Sequence, residues 1–432
     1  MPSPFSLAII ITFLTIFLAF LLTNTNNNPK YILKIISFWD KGLWELLSFA
    51  MQMMLMLVLG NILALSPYID KIINFLIKDI ASTSKAVVIV SIFTMIIAYL
   101  NWGLALIFGA IITRKIAENS INKNFKINYA IIGAAGYSGL MVWHGGLSGS
   151  APLKVAETNH FLVDKIGVIS INKTIFSPMN IFAAFTVIIL VALGLYILSK
   201  KTNTEKINIK TIIDKKNNLD ISQKNKKIKI DNSIVFLRLF AILMAVDIFY
   251  KIFTIKNISI VNINFINTVL FALGLWFHKN VSQFLKATAK SISSSSGILI
   301  QFPLYAGIMG IMKYSGLTSV MSNFFINISN QTTFPLYTFI SSAIVNMFVP
   351  SGGGQWAVQG PIIVDAAKNL NVPVQKAIMA LAYGDQLTNM IQPFWALPLL
   401  GITGLKAKQI FPYTLFIMLI GGFVYTFALI LF

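Results

Sequence analysis

Apolar runs long enough to cross a bilayer recur along this 432-residue chain, and they constrain it more than any single motif does. A hydrocarbon core takes about 20 apolar residues per helix, and inside it every backbone N–H and C=O must find a partner within the protein. Clear runs occupy 5–22, 43–66, 174–199, 234–255 and 411–432. Less uniform ones, at 128–152, 264–278, 297–313 and 374–400, are interrupted by Gly, Pro, Ser, Thr and Asn. The chain is 56% hydrophobic and only 11% charged, against roughly 25% charged in a soluble domain. It therefore reads as an all-α polytopic membrane protein with about nine transmembrane helices. No Lys or Arg precedes Lys30 and no small-x-small site follows Leu22, so 5–22 reads as a retained span rather than a signal peptide.

Two further stretches, 86–113 and 334–366, are too long for one span, and each is broken centrally. The breaks read "LNWG" (Leu100–Gly103) and "VPSGGGQW" (Val349–Trp356). Proline followed by three consecutive glycines does not continue a helix. Non-helical backbone survives at membrane depth only where it is buried in protein or lines a wet cavity. Both stretches read as re-entrant hairpins that enter and leave on one side. With Met1 inside, the connections predicted to be cytoplasmic hold 22 Lys and Arg and the opposite ones 8, as the positive-inside rule requires.

Net charge is +20, but the basic residues are nearly all lysines lying between apolar segments, with Arg114 and Arg238 the only arginines. That pattern fits cytoplasmic loops against an anionic leaflet, so the partner it implies is the lipid bilayer and not nucleic acid. Arg238 and Asp247 read as a structural pair or as snorkelling groups.

The two halves resemble one another. "AYLNWGLALIFGAIITRKIAEN" (Ala98–Asn119) lies over "SAIVNMFVPSGGGQWAVQGPIIVDAAKN" (Ser342–Asn369), with Asn101 opposite Asn346. "AAGYSGLMVWHGGLSGSAPL" (Ala134–Leu153) likewise lies over "LAYGDQLTNMIQPFWALPLL" (Leu381–Leu400). In the topology above each later element runs in the opposite direction, the signature of an inverted-repeat secondary transporter. The expected organisation is a first half at 1–199, with hairpin 86–113 and broken span 128–152. A Lys-rich cytoplasmic linker follows at 200–233, and an inverted half at 234–432 carries hairpin 334–366 and broken span 374–400.

A broken helix offers N–H groups with partial positive charge at one end and C=O groups at the other, suiting an anion and a cation respectively. Ser351, Gly352, Gly353 and Gly354 let the backbone approach a carboxylate with no side chain in the way, and Gln355 and Trp356 begin the returning helix. Close helix packing is the alternative use of such small residues. In the following span Asp385 can bind a cation, take a proton, or sit solvated near the interface; Thr388 and Asn389 read as ligands. His144 either titrates during transport or is a hydrogen-bonded structural residue, and Ser148 lies beside it in the same stretch. Asn101 with Trp102 forms the first tip. Neither hairpin nor its following span contains arginine, while Trp102, Trp143, Trp356 and Trp395 can line a short apolar wall. A small monocarboxylate needs no more than one anion-binding nest and such a wall.

Cysteine is absent and only His144, His160 and His278 are present, so neither a resident metal nor any other cofactor is expected. There is no His-Glu-x-x-His or Gly-x-Ser-x-Gly, and "SISSSSGI" (Ser291–Ile298) has no base nearby in sequence, which argues against an intramembrane enzyme.

At "LNWG", "GYSGLMVWHGGLSGSAPL", "VNMFVPSGGGQWAVQGP" and "YGDQLTNMIQPFWALPLL" the sequence closely resembles the bacterial short-chain fatty acid transporter family, within the ion transporter superfamily. The resemblance implies uptake of short monocarboxylates such as butyrate or acetoacetate across the inner membrane. It also implies a scaffold-plus-transport-domain homodimer working as an elevator, coupled to H+ or Na+. Better-known relatives in that superfamily carry a sodium-binding Ser-Asn-Thr motif at each tip. Here Asn101 and Asn346 alone match it and, with Asp385, are the ion-coupling candidates. A sodium-coupled carrier of dicarboxylates or other organic anions on the same fold is the alternative, and a passive channel would show flux without counterflow.

Overall fold

The computed structural model describes residues 4–24, 28–45, 47–158, 160, 162–206, 233–255, 260, 263–292 and 296–432. Most of the expected linker, 207–232, and the serines at 293–295 lie outside these residues. The described residues form helices and no strand; Ile127 and Glu205 share a single bridge.

The order is α1 Pro4–Thr23, α2 Tyr31–Glu45, α3 Leu47–Ala64, α4 Pro67–Ile77, α5 Thr83–Leu100, α6 Trp102–Asn122, α7 Tyr129–Tyr137 and α8 Pro178–Lys201. After the linker come α9 Ile234–Thr254, α10 Ile263–Phe277, α11 Val281–Ile292, α12 Ser296–Tyr314, α13 Leu317–Asn327 and α14 Phe334–Asn346. The chain ends with α15 Gly352–Asn369, α16 Val374–Thr388, α17 Pro393–Thr403 and α18 Ala407–Leu431. Helices α5, α8 and α18 are each long and apolar enough to cross a bilayer.

The outer helices show why these segments settle where they do. Along α8 the residues Ala183, Val187, Val191 and Leu195 are buried, while Ile181, Phe185, Ile189, Leu193 and Ile197 are exposed. Both rows recur every four residues, so one stripe faces protein and the other faces lipid. Starts are fixed by capping: Ser177 accepts from the Asn180 N–H before Pro178, and Asn128 accepts from the Ile131 N–H at 3.2 Å.

Several stretches expected to be simple connections are helical instead. Helix α2 occupies most of 23–42 and packs along α12, where Gly42 lies against Gly310 so closely that a Cβ on Gly42 would stand 2.5 Å from the Gly310 Cα. Small residues permit that approach, and hydropathy windows do not register it. The pairing expected between Asp247 and Arg238 is also corrected. Asp247 pairs with Lys251 at 2.7 Å, one turn away on the same helix, while Arg238 lies over the Trp276 ring at 5.4 Å.

At the centre, α5 folds back on α6, α14 packs along α16, and α7 lies against α5, α6 and α18. Helices α6 and α7 touch through Gly109 and Gly136, where a Cβ on Gly109 would overlap the Gly136 carbonyl. Gly109→Ala should therefore cost about 1–3 kcal/mol. A Cβ on Gly422 would meet Leu387 at an ordinary 3.8 Å, so Gly422→Ala should be neutral or stabilising. Thermal melting of the purified variants in detergent checks the pair.

Candidate functional site

Four interruptions in helices converge in the middle of the bundle. The first is a single residue: Asn101 is extended, at φ −155° and ψ 120°, ending α5 and capping α6 by accepting the Leu104 N–H at 3.0 Å. The second runs from the 3₁₀ turn Ser138–Met141 through Gly149 to the one-turn helix Ser150–Lys154. The third joins α14 to α15, and the fourth is the 3₁₀ turn Asn389–Ile391 after α16. Both spans expected to be broken, 128–152 and 374–400, are interrupted at these points.

The glycine triplet is the first turn of α15 and not the open loop expected before Gln355. Ser351 caps it, accepting from the Gly354 N–H at 3.2 Å. None of Gly352, Gly353 and Gly354 has positive φ, so what matters there is the missing Cβ. A Cβ on Gly352 would stand 2.8 Å from Asp385 Oδ2, from the His144 ring and from the Trp143 ring. Gly353 is exposed and would meet only Ser150, at 3.9 Å.

Trp143 lies between the two tips. Its ring centroid is 5.8 Å from that of Trp102, and Trp102 meets Trp395 edge-on at 5.0 Å. The Trp102 N–H donates to Ser148 Oγ at 3.0 Å, fastening the first tip to the same loop. Three of the four tryptophans expected as a wall are thus together. Trp356 belongs to a different packed cluster, with Ala151, Val155, Phe334 and Leu381.

Asn346 knots the second tip to the break after α16. Its Nδ2 donates toward the Asp385 carbonyl at 2.6 Å, Asn389 Oδ1 at 2.9 Å and Thr388 Oγ1 at 3.0 Å, and its own carbonyl accepts from Gln392. Gln355 donates to the Ser342 carbonyl and to Gln359 Oε1, each at 2.9 Å. In this arrangement the Asn101 side-chain oxygen serves as a helix cap and the Asn346 amide as a donor.

His144 and Asp385 are 0% and 1% exposed, with Nδ1 and Oδ2 2.7 Å apart. The N–H direction is poorly aligned with that oxygen, so neither Asp385 oxygen has a well-aligned donor. The His144 ring stacks on Trp143 at 4.5 Å, and its Nε2 accepts the Ala151 N–H at 3.2 Å. Gln386 Oε1 accepts the backbone N–H groups of His144 and Gly145.

Sequence reasoning passed over Gln386 and Tyr137. The Tyr137 O–H donates to the Asn389 carbonyl at 2.7 Å, joining the two broken spans. Both residues stand in motifs quoted for their neighbours; Gln386, next to an intramembrane Asp, was the legible signal.

Helices interrupted at matching places, with polar groups gathered at the interruptions, define this fold as that of a multi-pass helical membrane protein. The chain belongs to the short chain fatty acid transporter family, whose profile matches residues 1–432. An Escherichia coli K12 relative, provisionally named a short-chain fatty acid transporter, is 33% identical over 439 residues, covering 100% of this chain and 96% of that protein. A Haemophilus influenzae protein named in the same way is 35% identical over 423 residues, covering 95% and 92%. Solved structures of Neisseria gonorrhoeae MtrF and the Alcanivorax borkumensis YdaH transporter are distant likenesses. MtrF is 12% identical with a TM-score of 0.44, covering 98% of this chain and 94% of that one. YdaH is 13% identical with a TM-score of 0.49, covering 100% and 98%.

The capping geometry at the first tip predicts that Asn101→Ala destabilises the protein by about 1 kcal/mol and that Asn101→Ser, which keeps an accepting oxygen, does not. Melting temperatures of the two variants test this.

Proposed function

We propose that the protein is a secondary active transporter of short-chain monocarboxylates, such as butyrate or acetoacetate, across the cytoplasmic membrane, driven by an H+ or Na+ gradient. The observation that carries this reading is Trp143, which touches both helix tips and makes one site of them, walled by Trp102 and Trp395. Among the described residues no lysine or arginine is buried, which suits a ligand with one negative charge and a short apolar tail. The site comprises Asn101, Trp102, Trp143, His144, Ser148, Asn346, Ser351, Gly352, Gly353, Gly354, Gln355, Thr388 and Asn389, with Asp385 as the acidic group; Trp356, packed in a separate cluster, is left out.

The architecture we propose is an inverted repeat with two re-entrant hairpins. Element order supports it: an 18-residue and an 11-residue helix (α3, α4) recur as 19 and 11 residues (α12, α13). A helix pair, a span ending in a 3₁₀ turn, and a long helix then follow in both halves. The halves also exchange packing, since α1 and α2 lie on α12 while α10 and α11 lie on α3. Lysine placement puts the N-terminus and the 200–233 linker in the cytoplasm. Family resemblance adds a homodimer and an elevator motion to the reading.

Proteoliposomes loaded with butyrate should exchange it for labelled butyrate and not for succinate, and separately imposed pH and sodium gradients should identify the coupling ion. Exchange with succinate alone would replace this reading by a dicarboxylate carrier, and flux without counterflow by a channel. Because Gly353 is exposed and a Cβ there would meet only Ser150, at 3.9 Å, Gly353→Val should insert and fold normally yet lose uptake; Asn389→Ala, which removes an acceptor of the Asn346 amide, should lose uptake together with some stability. Normal uptake in both would remove the site assignment.

A further inference from the structure

The three histidines are all buried, but their settings differ. His160 Nε2 lies 3.0 Å from the Gly167 carbonyl and His278 Nδ1 lies 2.7 Å from the Gly274 carbonyl, which are local structural contacts. His144 alone faces a carboxylate. A backbone N–H can only donate, so the Ala151 contact requires a bare lone pair on His144 Nε2. In the neutral ring the proton then resides on Nδ1, toward Asp385. The pair as built carries one buried negative charge.

A proton arriving at Nε2 changes what this place can bind. The ring becomes an imidazolium, the acceptor of the Ala151 N–H becomes a second donor, and two N–H groups then meet with their nitrogens 3.2 Å apart, a contact that must open. Only an acceptor placed between them satisfies both, and an anionic oxygen does so best. We propose that His144, protonated at Nε2, together with the Ala151 N–H binds the carboxylate of the substrate, with Asp385, whose Oδ2 is 2.7 Å from Nδ1, as the facing counter-charge. The proposal rests on the carboxylate-transport reading and names its coupling ion as H+. Charge balances: the proton joins a lone pair, no other bond changes, and it leaves by the same nitrogen. The buried charge is −1 with the site empty and −1 with proton and carboxylate both bound, so the electrostatic cost of moving either form through the bilayer is similar.

The surroundings fit. Gly352 brings the second tip against the pair because it has no Cβ, and the exposed Gly353 beside Ser150 leaves an open side. The Trp143 ring lies stacked on the His144 ring at an interplanar angle of 20°. The ionisable groups on the elements around it are occupied elsewhere. Lys154 pairs with Glu157, Asp365 with Lys165, and Lys368 with the Lys165 carbonyl. The Tyr383 O–H donates to Asn180, while Tyr337 and Lys376 line separate cavities.

The test is calorimetry of butyrate binding to the purified full chain in buffers of differing ionisation enthalpy, from about pH 6 to pH 8. The wild type should take up a proton with each butyrate, and Kd should rise about tenfold per pH unit wherever binding takes up one full proton. His144→Gln, which keeps an acceptor for Ala151 but cannot supply the positive charge, should lose butyrate binding or keep only a weak remnant with neither proton uptake nor pH dependence. Proton uptake retained in His144→Gln, as expected if butyrate binds as its own neutral acid, overturns the proposal and leaves the transport reading standing. So does butyrate binding to the wild type without proton uptake. Failure of the wild type to bind or exchange any short monocarboxylate overturns the transport reading itself. Should His144→Gln not fold, Trp143 supplies a second readout, because a protonated ring stacked on an indole quenches its emission. Wild-type emission should fall as pH drops and fall further on adding butyrate at fixed pH, because binding protonates the ring, and both changes should be lost in Trp143→Phe; an identical response in Trp143→Phe and the wild type overturns the proposal.

Discussion

Backbone that leaves the helical path inside a membrane must have its lost hydrogen bonds replaced, and here the replacements cross between the two halves of the chain. Gln386, from the second half, accepts the N–H groups of His144 and Gly145 in the first. Tyr137, from the first half, donates to the Asn389 carbonyl in the second, and Tyr425 donates back to the Met141 carbonyl. The two broken spans are thus each completed by the opposite half, while the tips at Asn101 and Ser351 are capped within their own. A half-chain would leave these groups unsatisfied in a buried setting, each at a cost of about 1–3 kcal/mol, so the centre forms only when both halves meet.

The same arrangement fixes the tips relative to one another. Asn101 caps α6, Ser148 binds the Trp102 N–H, and Trp143 on that loop touches Gly352 at the start of α15. Four residues therefore relate two helix ends that are about 250 positions apart in sequence, on the scale that makes such contacts slow to form. The rigidity is local. Gly353 keeps open space beside it while Gly352, one residue earlier, is packed on three sides.

How much of this could be read from the sequence follows from the range of each signal. Apolar runs and prolines act within a few residues, so the helical class, the interruptions at Asn101 and near Pro350, and the polar run from Asp385 to Gln392 were legible. The glycine triplet and its missing Cβ atoms were legible, but the start of the returning helix was misplaced: the triplet forms the first turn of α15 instead of non-helical backbone before Gln355. The three-tryptophan wall was half legible. Trp356 has the same composition signal as Trp143, and only packing sends it to another cluster. The His144–Asp385 contact spans 241 positions and was not legible, although each residue alone reads as a candidate for proton or ion handling, because no local pattern pairs them.

Electrostatics then narrows the chemistry. An isolated carboxylate moved into a medium of low dielectric loses hydration worth tens of kcal/mol, and an arginine clamp would be the usual compensation. Among the described residues none is buried, and Asp385 is the only buried carboxylate, so the centre begins with the wrong sign for an anion. Anion binding there requires a positive charge that arrives with the ligand. His144 is the one group in contact with Asp385 able to acquire it. A second carboxylate on the same substrate would need a second such group, and His160 and His278 are committed to backbone carbonyls elsewhere. Under the proposed reading the arrangement discriminates by charge before it discriminates by shape: one proton-accepting ring admits one carboxylate, and the tryptophans are left to judge the length of the tail.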